Sequence, residues 1–351
     1  MSETDHATAT SAAVEASFPL AENLPARPDL DNGDNGFISA EDATDDASSV
    51  TGESVASSTT SVSDSIREYR QENGRTYHKY KDGNLQHNLI VRSFDDRLGT
   101  APPNHHGARV GRVLDLGTGS GIWAIEFGDE HPEAEVLGVD LSPSQPEFVP
   151  PNVRFEVDDI EEPWTYSLPF DYIHSRTMTF SISNWQAYLK EAFDHLNPGG
   201  YLELVEVDSV PLSDDGTLKE DSALMKSVRL LEKAAVIFGR PFVDIQGIGD
   251  KMAEVGFEDV HVQRFKWPTN PWAKNQRYKD IGAWTYGNLA PNWEAFCMAP
   301  LTRGLGWSRE EVILHAMEVR RDLGDRSIHA YYLLWSIWGR KPAAATGPPQ
   351  A

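Results

Sequence analysis

The sequence predicts an α/β fold: a seven-stranded, mostly parallel sheet with helices on both faces and a helical insert before the last strand. Three observations carry this expectation. Short β-rich runs alternate with helical patterns beyond residue 111, as in a parallel sheet covered by helices. The first run leads into a glycine turn, Val113-Leu114-Asp115-Leu116-Gly117-Thr118-Gly119-Ser120-Gly121. Acidic residues end the next two runs, Asp140 the second and Asp158-Asp159 the third.

The elements follow in order. Residues 1–65 are rich in Ser, Thr, Asp, Glu and Ala; their apolar residues are too sparse and aperiodic to offset the entropy of ordering, so a disordered acidic tail is expected. Residues 66–340 form the domain. Within it, 66–110 is expected as an N-terminal helical cap, with one or two helices over SIREYRQENGRTYHKY. The strands fall at Arg112–Leu116, Ala134–Val139, Val153–Val157, Phe170–His174 and Tyr201–Val207, with a helix from Ile122 to Glu130. A second helix carries Trp185, Leu189, Ala192 and Leu196 on one apolar stripe, and Asn197-Pro198-Gly199-Gly200 stops it. Leu218–Phe238 is helical, and a shorter helix leads to Gly256. Strands six and seven fall at about Val260–Phe265 and Ala330–Trp338. The insert spans 267–326; its clearest helix begins at Ser308, with Glu311 placed to complete a capping box. Residues 341–351 are expected to be a flexible tail.

Charge and cysteine content narrow the function. The net charge is −23, of which −12 lies in residues 1–65. Such a balance disfavours unspecific binding to nucleic-acid phosphates or anionic lipid, so no direct nucleic-acid partner is expected. Cys297 is the single cysteine, which excludes an internal disulfide or a thiolate cluster and fits a reducing compartment. No His/Cys/Asp/Glu spacing suggests a metal. No basic n-region precedes an apolar run at the N-terminus, and no stretch approaches the ~20 apolar residues of a membrane span. The chain is expected to be intracellular, in cytoplasm or nucleus, and not secreted.

The glycine turn carries the chemistry. It ends a strand and opens a helix, where Gly117, Gly119 and Gly121 let a ligand lie close to the backbone. Asp140, followed by Leu141 at the tip of the second strand, can accept from both hydroxyls of a ribose. A dinucleotide site wants G-x-G-x-x-G facing a pyrophosphate, whereas here the spacing is G-x-G-x-G with Asp115 before the first glycine. That acidic residue suits the ammonium and cationic sulfur of S-adenosylmethionine, directly or through water. Asp158, Asp159 and Ile160 lie where a carboxylate can accept from the adenine amino group and a backbone N–H can meet N1.

At these residues the sequence resembles a class I methyltransferase of Rossmann-like fold, and more narrowly the fungal LaeA-like methyltransferases of secondary metabolism. The resemblance runs from about Glu68 to Pro342 and rests on ENGRTYH (72–78), LDLGTGSGIWAIEF (114–127), GVDLSPSQPEFVPPNVRFEVDD (138–159), FDYIHSR (170–176), HLNPGGYLELVE (195–206), DDGTL (214–218) and IHAYYL (328–333). It implies S-adenosylmethionine as cofactor and either of two roles. One is methylation of an oxygen or nitrogen on a small-molecule or peptide acceptor, as in mycotoxin-type biosynthesis. The other is regulation of secondary metabolism with a velvet-type protein partner. The chain departs from the pattern where Tyr80–Asn84 runs almost directly into Leu85-Gln86-His87; relatives often carry a longer acidic segment there.

Candidate catalytic residues lie at the carboxyl ends of strands four and five. His174 and Arg176 follow the fourth; His174 fits a general base near neutral pH, and it equally fits a residue that positions the cofactor or a loop. Glu206 ends the fifth strand, with a structural role as good a fit as a catalytic one. Tyr77 fits part of a lid over the cofactor, although packing explains it equally well. Seven of the ten tryptophans lie beyond residue 260, where core packing and an aromatic acceptor wall are both consistent.

Overall fold

A computed structural model describes residues 36–41 and 85–344, together with the backbone of 71–72 and 75–76. Its sheet contains β1 (Arg112–Leu116), β2 (Glu135–Asp140), β3 (Val153–Val157), β4 (Phe170–Arg176), β5 (Leu196–Val207), β6 (Glu258–Pro268) and β7 (Tyr331–Arg340). Their order is β3-β2-β1-β4-β5-β7-β6. β1 to β5 run parallel, and β7 is antiparallel to both β5 and β6. The expected seven-stranded, mostly parallel sheet is therefore present. The carboxyl ends of β1 to β6 and the amino end of β7 share one edge.

The helices are α1 (Leu85–Ser93), α2 (Ile122–Glu130), α3 (Trp185–Asp194), α4 (Ala223–Ile237), α5 (Ile248–Val255), α6 (Gln276–Ala299) and α7 (Arg309–Gly324). One apolar cluster joins α3 and α5 to the sheet through Leu189, Ala192, Ile248 and Met252, among others. A second, with Trp123, Phe127 and Tyr172, packs α2 on the opposite face. The expected insert is helical: α6 and α7 share a core of Trp293, Cys297, Val312, Ala316 and Val319. Ser308 and Glu311 form the capping box that their spacing predicts. Pro291 lies inside α6; it has no N–H to give the helix, and Arg320 donates to the carbonyls of Ala290 and Pro291.

Three regions differ from expectation. Leu196, expected on the stripe of α3, begins β5. Gln71–Glu72 and Arg75–Thr76 pair antiparallel where helix was expected; Asn73-Gly74 between them is the dipeptide that tight hairpins favour. Residues 36–41 lie within the stretch expected to be disordered, yet Ile38 is buried and Ala40 forms a β-bridge with Ala273. No helix among the described residues is long and apolar enough to cross a membrane.

Candidate active site

The glycine turn sits at the shared carboxyl edge, between β1 and the first turn of α2. Gly117, Gly119 and Gly121 have φ of 65°, 57° and 77°, the left-handed region that side chains avoid. A Cβ on Gly117 would also collide with the Met178 side chain. At Gly119 it would meet nothing closer than 4.0 Å, so the middle of the turn faces open space. That is the cradle a ligand lying on the backbone requires.

Asp140 ends β2 opposite this cradle. Its Oδ2 accepts from Gly119 N at 2.8 Å and its Oδ1 from Ser142 N at 3.0 Å. Gln145 Nε2 (2.6 Å) and Ser144 Oγ (2.9 Å) donate to the Gly119 carbonyl. These two residues, which the sequence reading did not single out, fix the turn from its other side. Leu141 and Val157 at neighbouring strand tips are 68% and 60% exposed, offering apolar faces beside the carboxylates. Asp158 and Asp159 are exposed and Ile160 is half-buried, with Asp158 N bonded to Asp140 O at 3.2 Å. Glycine turn, Asp140, Leu141 and Asp158–Ile160 thus line one edge. The donor set fits an adenosyl group: carboxylates for a diol and an exocyclic amine, apolar faces for a base, and an open backbone for the amino-acid end. Tyr77, expected as part of a lid, lies outside the described residues.

Asp115 and His174 are placed behind the turn. Both side chains are buried. His174 Nδ1 donates to Asp115 Oδ1 at 2.8 Å, and Thr118 Oγ1 donates to Asp115 Oδ2 at 2.5 Å. The imidazole stacks on Trp123 of α2, with centroids 3.7 Å apart and planes within 8°. Its Nε2 is buried and finds no partner among the described residues. Strand register explains the arrangement: Asp115, His174 and Glu203 are lateral neighbours across β1, β4 and β5, so their side chains form a row on one face of the sheet. Glu203, also missed from sequence, is fully buried. It accepts from Tyr172 Oη (2.7 Å), Thr100 N (2.6 Å), Ala101 N (3.1 Å) and Ser336 Oγ (2.9 Å), among others.

Glu206 is fully buried at the end of β5. It accepts from Met178 N (2.9 Å), Thr179 N (3.0 Å) and Thr179 Oγ1 (2.6 Å), fastening the loop that carries Met178 onto Gly117. Burial pushes its carboxyl up to about 7, against these three hydrogen bonds. Arg176 Nη1 donates to His87 Nδ1 at 2.9 Å; the tautomer this requires lets His87 Nε2 donate to Glu126 at 2.8 Å. Glu161, beyond the β3 tip, accepts from Ser183 N (2.6 Å) and Arg240 Nη2 (2.7 Å). It thereby joins the β3–β4, β4–α3 and α4–α5 connections. Next to this junction Phe180 and Phe242 pack edge to face with centroids 5.4 Å apart, and Phe180, Val236, Ile237 and Phe238 are exposed. Among the described residues no group of three or more His, Cys, Asp or Glu side chains could hold a metal ion.

Comparison with known proteins identifies the family. Residues 85–262 match the family model described as methyltransferase domain. The chain is 38% identical to methyltransferase pytC of Aspergillus terreus, covering 82% of this chain and 92% of the relative. It is 31% identical to the probable methyltransferase tdiE of Emericella nidulans, over 81% of this chain and 92% of the relative. It is also 35% identical to the secondary metabolism regulator LAE1 of Cochliobolus heterostrophus, over 77% and 94% respectively.

Proposed function

The chain belongs to the S-adenosylmethionine-dependent methyltransferase family, with relatives in fungal secondary metabolism, and from that premise we propose that it methylates an oxygen or nitrogen of a secondary metabolite or modified peptide. The observation that carries this reading is the open glycine cradle facing Asp140 at an edge whose acceptor side is apolar. Asp140 would hold the ribose hydroxyls and Asp158 to Ile160 the adenine edge, while Gly117 to Gly121 give the amino-acid end access to backbone. When bound, S-adenosylmethionine supplies a methyl carbon already activated by its sulfonium.

This chain's own residues then act mainly by placement. Asp115 uses one oxygen on Thr118 and the other on His174, which fixes the entry to the turn. His174, walled in by Trp123 and Asp115, is a positioning residue rather than a base at the acceptor. Glu206 positions Met178 against Gly117 in the same way. Exposed Phe180 and the apolar end of α4 give a flat or aliphatic acceptor a surface that excludes water. Alignment and desolvation are sufficient in kind for an in-line displacement at an activated carbon. The acceptor's proton passes to bulk water, before an oxygen acceptor binds or as a methylated nitrogen product leaves.

Similarity to a secondary metabolism regulator favours a second reading, in which the same site serves a regulator that acts with a velvet-type partner on a protein acceptor. Mass spectrometry of metabolites from deletion and wild-type strains separates the two. A tailoring enzyme predicts one product shifted by one methyl group, and the loss of many unrelated products refutes it.

A further inference from the structure

Residues 36–41 do not belong to the sheet or its helices, yet the domain is built to receive them. Lys274 N donates to Ser39 O at 2.9 Å, and Glu41 N donates to Trp272 O at 3.1 Å. These two bonds frame the Ala40–Ala273 bridge. Side chains alternate as in a strand: Ile38 is 4% exposed and Phe37 is 67% exposed. Glu41 pairs with Lys279 at the end of the contact.

Lys266 shows that this contact is part of the design of the domain. It is a buried ammonium near the carboxyl end of β6, and burying such a group requires partners for its donors. It has three: Asp214 Oδ2 at 2.8 Å, the face of Tyr331 at 4.4 Å, and Gly36 O at 3.1 Å. Asp214 in turn accepts from Tyr331 Oη at 2.6 Å. One of the three places is filled only when residues 36–41 are docked.

The position matters for function. β6 ends at Pro268, opposite Tyr331 at the start of β7, on the same sheet edge as the glycine turn and the loop after β4. The backbone contacts of Ser39, Ala40 and Glu41 are to Trp272, Ala273 and Lys274, directly beyond β6, and Ile38 is buried in the apolar cluster that includes Trp272 and Tyr331. The segment therefore lies at the acceptor end of the edge, beyond β5, and away from the β1–β3 tips that would hold adenosine.

We propose that residues 36–41 are a strap that completes the acceptor side of this sheet edge, with Ile38 as its anchor, so that the molecules admitted depend in part on a segment outside the methyltransferase domain. This rests on the methyltransferase reading above. The strap contributes apolar wall and exposed Phe37, and nothing to the cofactor end.

The test compares the full chain with its Ile38→Asp/Glu41→Lys variant, in which a carboxylate enters the anchor site and two lysines face each other. Hydrogen exchange at the Glu41 and Lys274 amides should quicken about a hundredfold in the variant. Emission of the apolar dye anilinonaphthalene sulfonate should rise severalfold, and affinity for S-adenosylhomocysteine should stay within about threefold. A synthetic peptide of residues 34–43 should lower the dye signal of the variant, and the same peptide with Ile38→Asp should not. Equal exchange rates in both chains would overturn the proposal, as would unchanged dye emission. A tenfold loss of S-adenosylhomocysteine affinity in step with the dye signal would overturn it too, since the segment would then support the whole site. Failure of the unaltered chain to bind S-adenosylhomocysteine would instead overturn the cofactor reading, and the strap's role at an acceptor with it; the exchange rates distinguish these failures because they need no ligand.

Discussion

Asp140→Ala should cost more than a typical surface carboxylate, and the structure supplies the magnitude. Each carboxylate oxygen has two lone pairs. Oδ2 uses one on Gly119 N and Oδ1 one on Ser142 N. One acceptor direction remains on each oxygen, the number that a vicinal diol needs. Two hydrogen bonds to a charged acceptor at a half-buried position amount to roughly 2–4 kcal/mol net. At 1.4 kcal/mol per decade the dissociation constant should rise about 30- to 700-fold. Asparagine should be no remedy, because its single carbonyl oxygen can meet only one of the two backbone N–H groups and its amide would face the other donor to donor. The assay is calorimetric titration with S-adenosylhomocysteine at fixed salt, with melting temperature as the control for folding. Affinity within threefold of wild type in the alanine variant would refute the reasoning, and wild-type affinity in the asparagine variant would show that one acceptor suffices.

Three further changes test the supports of the site. Gly117→Ala places a Cβ against Met178 at a φ of 65°. A clear fall in melting temperature is expected, partly restored by adding Met178→Ala; the left-handed backbone term of about 1 kcal/mol should persist in the double variant, and an unchanged melting temperature for the single variant would count against the close packing. Glu203→Ala leaves Tyr172 Oη, Thr100 N and Ala101 N buried without their acceptor. It should lose more than ~4 kcal/mol in urea unfolding, and a loss below ~1 kcal/mol would contradict the network. Glu206 holds its proton up to about 7 in the fold, against 4.5 ordinarily. Its folded value is raised, so its stabilising contribution is complete below the ordinary carboxyl range and is lost as pH climbs through 7, by about 3 kcal/mol in all. Glu206→Gln should therefore flatten the fall in urea stability between pH 5 and pH 8, and a slope equal to that of the wild type would sink the assignment.

The sheet was legible because its determinants are local. β1, β3 and α2 begin and end where hydrophobic runs meet the glycine turn or acidic tips. The start of β5 was not, since Asn197-Pro198-Gly199-Gly200 reads as a stop. The strand begins at Leu196 beside Phe170, tolerates Gly199 at a φ of 84° through a register shift, and resumes at Tyr201 opposite Tyr172. α6 was obscured by Pro291, which reads as a helix stop yet lies inside the helix. Glu203 could not be singled out, because its partners lie near residue 100, at 172 and at 336. No periodicity links those positions.

The same division separates cofactor chemistry from acceptor chemistry. The proposed cofactor end is assembled from strand tips that follow one another in the chain, so a motif of nine residues and two acidic ends marks it out. The proposed acceptor end combines the loop after β4, the end of α4, the β6–α6 connection and a segment around residue 38, which come from distant parts of the chain. His174 shows how register can turn a residue at a strand's carboxyl end inward. Alternation along β4 turns it beneath α2 with Tyr172 and Arg176, whereas Ser175 faces the opposite side. Its partner Asp115 and the stacked Trp123 then hold it there. Phe180, Val236, Ile237 and Phe238 are exposed and apolar, which suits the proposed working by orientation and exclusion of water.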